Sequence, residues 1–143
     1  MPRVELMMSL FAGLTGGLAG VLWSGLVSSP WLERNRRERP ASWHRESLAQ
    51  LAIHALLYAA GGAALGFLFW LGWGLIAIVN TPWYATGLLF GLASWAAIAV
   101  PMLGSLALRL RDFAPVAAVH ALEWLVTCIV AGLLCAFSWH RYA

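Results

Sequence analysis

The hydrophobic pattern is dominated by a stretch of 62 residues, 47–108, that contains no Asp, Glu, Lys or Arg. A single helix of that length would be about 93 Å long, about three times the thickness of the hydrocarbon core of a bilayer. Within the stretch, Asn80-Thr81-Pro82 is typical of a helix end followed by a new start, with Thr81 as N-cap and Pro82 in the first turn. The stretch therefore predicts two membrane spans joined by a short turn.

Two further apolar runs flank this stretch. Residues 6–32 carry no charge, and residues 113–140 carry only Glu123. The sequence predicts a first span that ends at Ser29-Pro30 and a third span that is kinked near Pro101. The predicted fold is all-α, a single-domain integral membrane four-helix bundle over residues 1–143, with spans at about 5–28, 47–79, 82–108 and 113–139.

Composition leaves no room for a soluble domain beside four spans, since 62% of the residues are hydrophobic and 10% are charged. The net charge is +3 and all nine basic residues are Arg. They lie between or beside the predicted spans, where membrane topology explains them, so we predict no nucleic-acid binding. Cys128 and Cys135 lie two helical turns apart, about 10 Å, which is too far for a disulfide.

Arginine also predicts the orientation. The loops after the first and third predicted spans hold seven arginines, whereas the opposite side holds only Arg3 and Arg141. Because arginine accumulates on the cytoplasmic side, we expect both termini outside. Four aromatic residues flank the uncharged turn as an outer interfacial belt: Trp70, Trp73, Trp83 and Tyr84.

A short internal similarity links the second and fourth predicted spans. Residues 52–56 match residues 118–122 at an offset of 66, and the same offset pairs Tyr58 with Trp124 and Gly66 with Gly132. A two-helix unit used twice would keep the same membrane orientation and form a parallel repeat. Chance matches in so apolar a chain are the other interpretation, and the sequence leaves both open.

Glycines recur at four-residue spacing in three of the predicted spans. Small faces of this kind let helices approach closely in lipid, where no hydrophobic effect drives association. Two interpretations are open. The small faces pack against each other inside one bundle, or one small face, with span one as the first candidate, docks a second protomer or a partner subunit. The pairs are Gly13 with Gly17, Gly16 with Gly20, Gly62 with Gly66, and Gly87 with Gly91.

Glu123 is the acidic side chain that lies well inside a predicted span, about ten residues or 15 Å from its start. A charge at that depth costs at least about 2.5–3.5 kcal/mol, so Glu123 should face the interior and be protonated or paired. His120 and Thr127 share its helix face at i−3 and i+4. His54 should lie at the depth of His120, because both helices start from the cytoplasmic side.

Several interpretations of this polar cluster are open. The first is a hydrogen-bonded network that fixes helix register, and the second is a pathway for a proton or small solute. The third is a b-type haem site held by His54 and His120. The fourth is a metal site formed by the same two histidines and Glu123. No Ser-His-Asp set, phosphate-binding loop or pair of carboxylates can be assembled. We therefore predict a protein that is not an enzyme and has no cofactor or metal, with haem b as the alternative.

Spans three and four carry runs with a familiar pattern. Residues 87–95 read GLLFGLASW and residues 100–104 read VPMLG, and a helix with His120 and Gly132 follows. This pattern resembles the YagU-like inner-membrane proteins of bacteria, and it departs from them at residues 96–99. The resemblance implies a bacterial inner membrane and carries no assigned chemistry.

The leading functional hypothesis from the sequence is a protein of the inner membrane that works by helix packing. Its predicted partners are the lipid bilayer and either a second copy or another membrane subunit. A proton-linked or small-solute transporter that uses His54, His120 and Glu123 is the alternative.

Overall fold

The computed structural model of this chain describes residues 2–34, 47–76 and 81–142. These residues form four long helices, each long and apolar enough to cross a membrane, and the described part contains no strand. The predicted all-α four-helix fold is confirmed, and the chain is a multi-pass membrane protein. The spans are Glu5–Arg34, Leu48–Gly72, Trp83–Arg109 and Ala114–Arg141, numbered one to four below.

Two of the four helices contain a π-helical turn. Span one lies in a helix built from Pro2–Trp23, a π-helical turn Ser24–Ser28 and Ser29–Arg34. Span three is built from Trp83–Ser94, a π-helical turn Trp95–Ala99 and Val100–Arg109. Spans two and four belong to the uninterrupted helices Leu48–Ile76 and Ala114–Tyr142, and a 3₁₀ turn, Arg111–Phe113, precedes the latter. The predicted outer turn falls partly on residues 77–80, outside the described part.

Each π-helical turn ends two residues before a proline. Pro30 has no N–H for the Leu26 carbonyl, and its ring crowds that carbonyl; the extra residue of a π turn relieves both problems. The first helix therefore does not end at Ser29-Pro30, as the sequence suggested, but continues to Arg34. Pro101 follows the second π turn in the same way, at the position of the predicted kink.

Span four is the centre of the bundle. Span one packs between spans two and four, and span three packs along span four, whereas spans two and three barely touch. Consecutive spans run antiparallel, and spans two and four run parallel. The end of the bundle where Arg34 and Arg109 lie is called the arginine end below. At the opposite end, Phe69 is fully buried against Phe90 and Trp139.

The eight glycines of the four-residue pairs all lie against another span of the same chain. A Cβ atom on Gly13 would overlap the carbonyl oxygen of Gly62, and one on Gly62 would overlap that of Gly13. On the other face of span one, a Cβ on Gly16 would come within 2.6 Å of Ala131. The remaining contacts join Gly17 to Tyr58, Gly66 to Ser9, Gly20 to Thr127, Gly87 to Gly132 and Gly91 to Cys128.

Candidate intramembrane polar site

Glu123 is the centre of a buried polar site that joins three spans. Its side chain is 2% exposed. Its Oε2 atom accepts a hydrogen bond from the Tyr58 hydroxyl of span two at 2.6 Å and pairs with His120 Nδ1 of its own helix at 2.9 Å. The Ser24 side chain, in the π-helical turn of span one, is buried and adds to the polar surroundings of the carboxyl group. The hydrogen bonds of this carboxyl group thus fasten span two to span four, with Ser24 of span one nearby.

Thr127 lies on the same face but does not reach the carboxyl group. Its hydroxyl donates to the backbone carbonyl of Glu123 at 3.1 Å, a bond to the preceding turn of the same helix. The side chain is fully buried against Gly20 of span one. Thr127 therefore packs the site and satisfies its own hydroxyl, and it contributes no group to the chemistry of the carboxyl.

His54 joins the site through Tyr58. The two rings lie with their centroids 4.7 Å apart, and the Tyr58 hydroxyl continues the contact to Glu123. Tyr58 and Glu123 therefore connect the two histidines, and the haem alternative stays a prediction. In the described ranges, no three His, Cys, Asp or Glu side chains converge as metal ligands.

Sequence reasoning missed two partners of Glu123. Tyr58 is a tyrosine inside an apolar span, one turn after His54, and that position was an available signal. Ser24 gave no such signal, because it lies on another span and no spacing within one helix relates it to Glu123. Tyr58 also stacks on Trp124, with centroids 4.5 Å apart and an interplanar angle of 16°. The offset of 66 had paired these two residues as equivalents rather than as neighbours.

A second polar contact joins spans one and four nearer the other end of the bundle. The Trp139 indole N–H donates to Ser9 Oγ at 2.7 Å, and both side chains are buried. The Cys135 thiol donates to the Ser9 carbonyl at 3.6 Å. These bonds hold spans one and four together at this level. Buried polar groups with satisfied hydrogen bonds fix helix register in a bundle.

His120 is the exposed edge of the site. Its side chain is 43% exposed, whereas the carboxyl to which it is bonded is sealed. A histidine and a carboxyl at hydrogen-bond distance share or exchange a proton, depending on the histidine tautomer. The imidazole is therefore the part of this pair that lies at the surface of the bundle.

A cleft of about 200 Å³ lies beside the polar site, between spans two and three. Span four forms its floor with Trp124 and Cys128, and the walls are aliphatic. Trp124 thus separates the cleft from Tyr58, on which it stacks. The cleft is apolar and does not include Glu123.

Comparisons with protein-family models, with curated proteins and with solved structures found no match to this chain. The resemblance to the YagU-like proteins stays a prediction. The functional argument therefore depends on the geometry of the spans and the polar site.

Proposed function

We propose that this chain is a non-enzymatic protein of the bacterial inner membrane that works by helix packing, as a homo-oligomer or an accessory subunit. In the proposed orientation, the arginine end is cytoplasmic and both termini are outside. The arginine distribution and the resemblance support this placement. The buried network around Glu123 supports a function through helix packing rather than chemistry, because its polar groups hold the chain's own helices together.

The observation that carries the proposal is the outer face of span one. Its glycine faces are occupied by spans two and four, so they offer nothing to a partner. The face that remains carries large apolar side chains at spacings of four, three, four and four residues, a pattern typical of seams between two helices. This outer seam consists of Met7, Phe11, Leu14, Leu18 and Leu22, which are 37–63% exposed.

Native mass spectrometry of the full chain in lipid nanodiscs tests the outer seam, because the measured mass gives the oligomeric state. We expect a dimer or larger species in wild type and its loss in Phe11→Ala/Leu18→Ala, because the seam loses its two central large contacts. The matched control is Leu56→Ala/Leu57→Ala on span two, whose side chains are 69% and 63% exposed. A wild-type monomer without any partner that co-purifies would refute the proposal.

The transport alternative has one supporting observation, the His120–Glu123 pair with its exposed imidazole. A transport site also needs access from both sides, and the carboxyl group is 2% exposed with the adjacent cleft lined by apolar groups. The geometry therefore supports a structural role for Glu123 better than a role in transport.

A proton-flux assay in liposomes distinguishes the two functions. We expect wild type and Glu123→Gln to give the same flux as protein-free liposomes, because the carboxyl group is buried and the adjacent cleft is apolar. Tyr84→Phe, which changes an exposed hydroxyl far from the site, is the matched control. Flux in wild type that Glu123→Gln abolishes and Tyr84→Phe retains would establish transport instead.

A further inference from the structure

We propose that the cleft between spans two and three binds one tail of an anionic phospholipid, whose phosphate pairs with Arg109 at the arginine end. This lipid site goes beyond the proposed helix-packing function and does not depend on it. Three features of the structure carry the proposal: the apolar lining of the cleft, its size and depth, and the arginine on the helix face that leads out of it.

The lining of the cleft is suited to an apolar ligand. Its side chains are aliphatic apart from Trp124 and the Cys128 thiol. Among them, Ala64, Ile98 and Met102 are exposed at the surface of the bundle and form the mouth. An apolar cavity of about 150 Å³ inside a protein stays free of water and takes up small apolar molecules. Around a membrane span, the apolar molecules at the mouth are lipid tails.

The size of the cleft excludes a helix as the occupant. The cleft holds about 200 Å³. One turn of a helix about 10 Å across and 5.4 Å long fills about 420 Å³, twice the space available. A hydrocarbon chain is much thinner and flexible, and it can enter sideways because spans two and three barely touch. The cleft therefore fits a lipid tail rather than another span.

The depth of the cleft matches the reach of such a tail. Met102 lies seven residues before Arg109, about 10 Å along span three. Trp124 lies ten residues after Ala114, the start of its helix, which is about 15 Å. One leaflet contributes half of the hydrocarbon core, about 15 Å. A lipid whose phosphate is level with Arg109 therefore places the end of its tail in the cleft.

Arg109 provides the charge that a headgroup needs. It is exposed and is the last residue of the helical segment Val100–Arg109. Seven residues make almost two helical turns, so Arg109 lies on the same face of span three as Met102. The acidic residue nearest to it in the sequence, Asp112, lies beyond the end of this helix. One helix face thus leads from the apolar cleft to a guanidinium group.

This guanidinium group selects the class of lipid. Arginine binds phosphate through two parallel hydrogen bonds, which fix the position of the headgroup. Every phospholipid has a phosphate, but a zwitterionic headgroup also has a positive charge that arginine repels. Basic residues at a membrane surface accordingly favour lipids with a net negative charge. The combination of tail cleft and arginine therefore points to an anionic phospholipid.

The experiment places the full chain in phosphatidylcholine nanodiscs that contain a small fraction of phosphatidylglycerol with brominated tails, which quench tryptophan fluorescence on contact. We expect quenching that saturates as this fraction rises and that exceeds the quenching by brominated phosphatidylcholine at the same fraction. Trp124→Phe should remove the saturable part, because Trp124 is the tryptophan that lines the cleft, while the new ring keeps its floor.

Two substitutions on span two test whether the tail occupies the cleft. Ala64→Phe should abolish the saturable quenching, because the new ring fills the cleft. The matched control Ala52→Phe adds the same ring to an exposed alanine of the same helix that does not line the cleft, and should bind like wild type. A preference for phosphatidylglycerol that Ala64→Phe retains would overturn the placement of the tail.

A second pair of variants tests the headgroup. Arg109→Gln should weaken the binding of brominated phosphatidylglycerol about fivefold, the effect of one arginine at a membrane surface. It leaves the cleft unchanged, so its effect does not depend on how Ala64→Phe folds. The matched control Arg34→Gln removes an exposed arginine of span one at the same end and should bind like wild type. Equal quenching of Trp124 by the two brominated lipids, or binding that Arg109→Gln does not weaken, would overturn the proposal.

Discussion

Gly62→Leu is expected to prevent the first two spans from packing together. A Cβ atom at Gly62 overlaps the carbonyl oxygen of Gly13 and lies 2.7 Å from the backbone N of Gly17. Backbone atoms cannot rotate away as side chains can, so span one would have to separate from span two. We expect a loss of more than about 3 kcal/mol of unfolding free energy, at the upper end of overpacking effects. Denaturation in mixed detergent micelles with increasing SDS measures it.

The matched control is Gly104→Leu, in the helical segment of span three. A Cβ atom there has no heavy atom within 4 Å, so the leucine side chain extends into open space. The substitution also removes a glycine from a helix interior, which favours the helix by up to about 1 kcal/mol. If both variants unfolded at the same SDS fraction as wild type, that result would contradict the close packing of spans one and two.

The glycine spacing predicted close helix contacts but not which helices meet. Gly13 and Gly16 are three residues apart and look alike in sequence, yet one lies against span two and the other against span four. The reason is physical: any small face accepts any other small face in lipid, where hydrophobicity does not rank partners. The number of spans was predictable, because bilayer thickness sets the length of one span, and the apolar runs could therefore be divided into spans.

The polar site was predictable only where its parts share a helix. His120 and Glu123 lie three residues apart, and helical geometry alone brings them together. Tyr58 reaches Glu123 because spans two and four are neighbours at that level, which no spacing within one helix reveals. Ser24 lies near it because span one packs along span four, which no spacing within one helix reveals either.

Glu123→Leu is expected to have the largest effect among substitutions of polar side chains. The leucine leaves the Tyr58 hydroxyl and His120 Nδ1 without their shared acceptor inside the bundle. A buried group left unsatisfied costs about 1–3 kcal/mol, although hydrogen bonds inside membrane proteins are often worth less than 1 kcal/mol. We therefore expect a loss of about 2–3 kcal/mol in the same SDS titration. Glu33→Leu, an exposed acid at the arginine end, is the control and should change little.

A double-mutant cycle with Tyr58→Phe tests whether that loss arises from the network. Tyr58→Phe removes the hydroxyl but keeps the ring that stacks on Trp124. With the hydroxyl absent, Glu123→Leu strands one donor fewer, so the double variant should be more stable than the sum of the single losses predicts. We expect a coupling energy of about 1 kcal/mol, the usual size for one buried hydrogen bond. Strictly additive losses would mean that Tyr58 and Glu123 do not depend on each other, and that the carboxyl group does not fasten span two to span four.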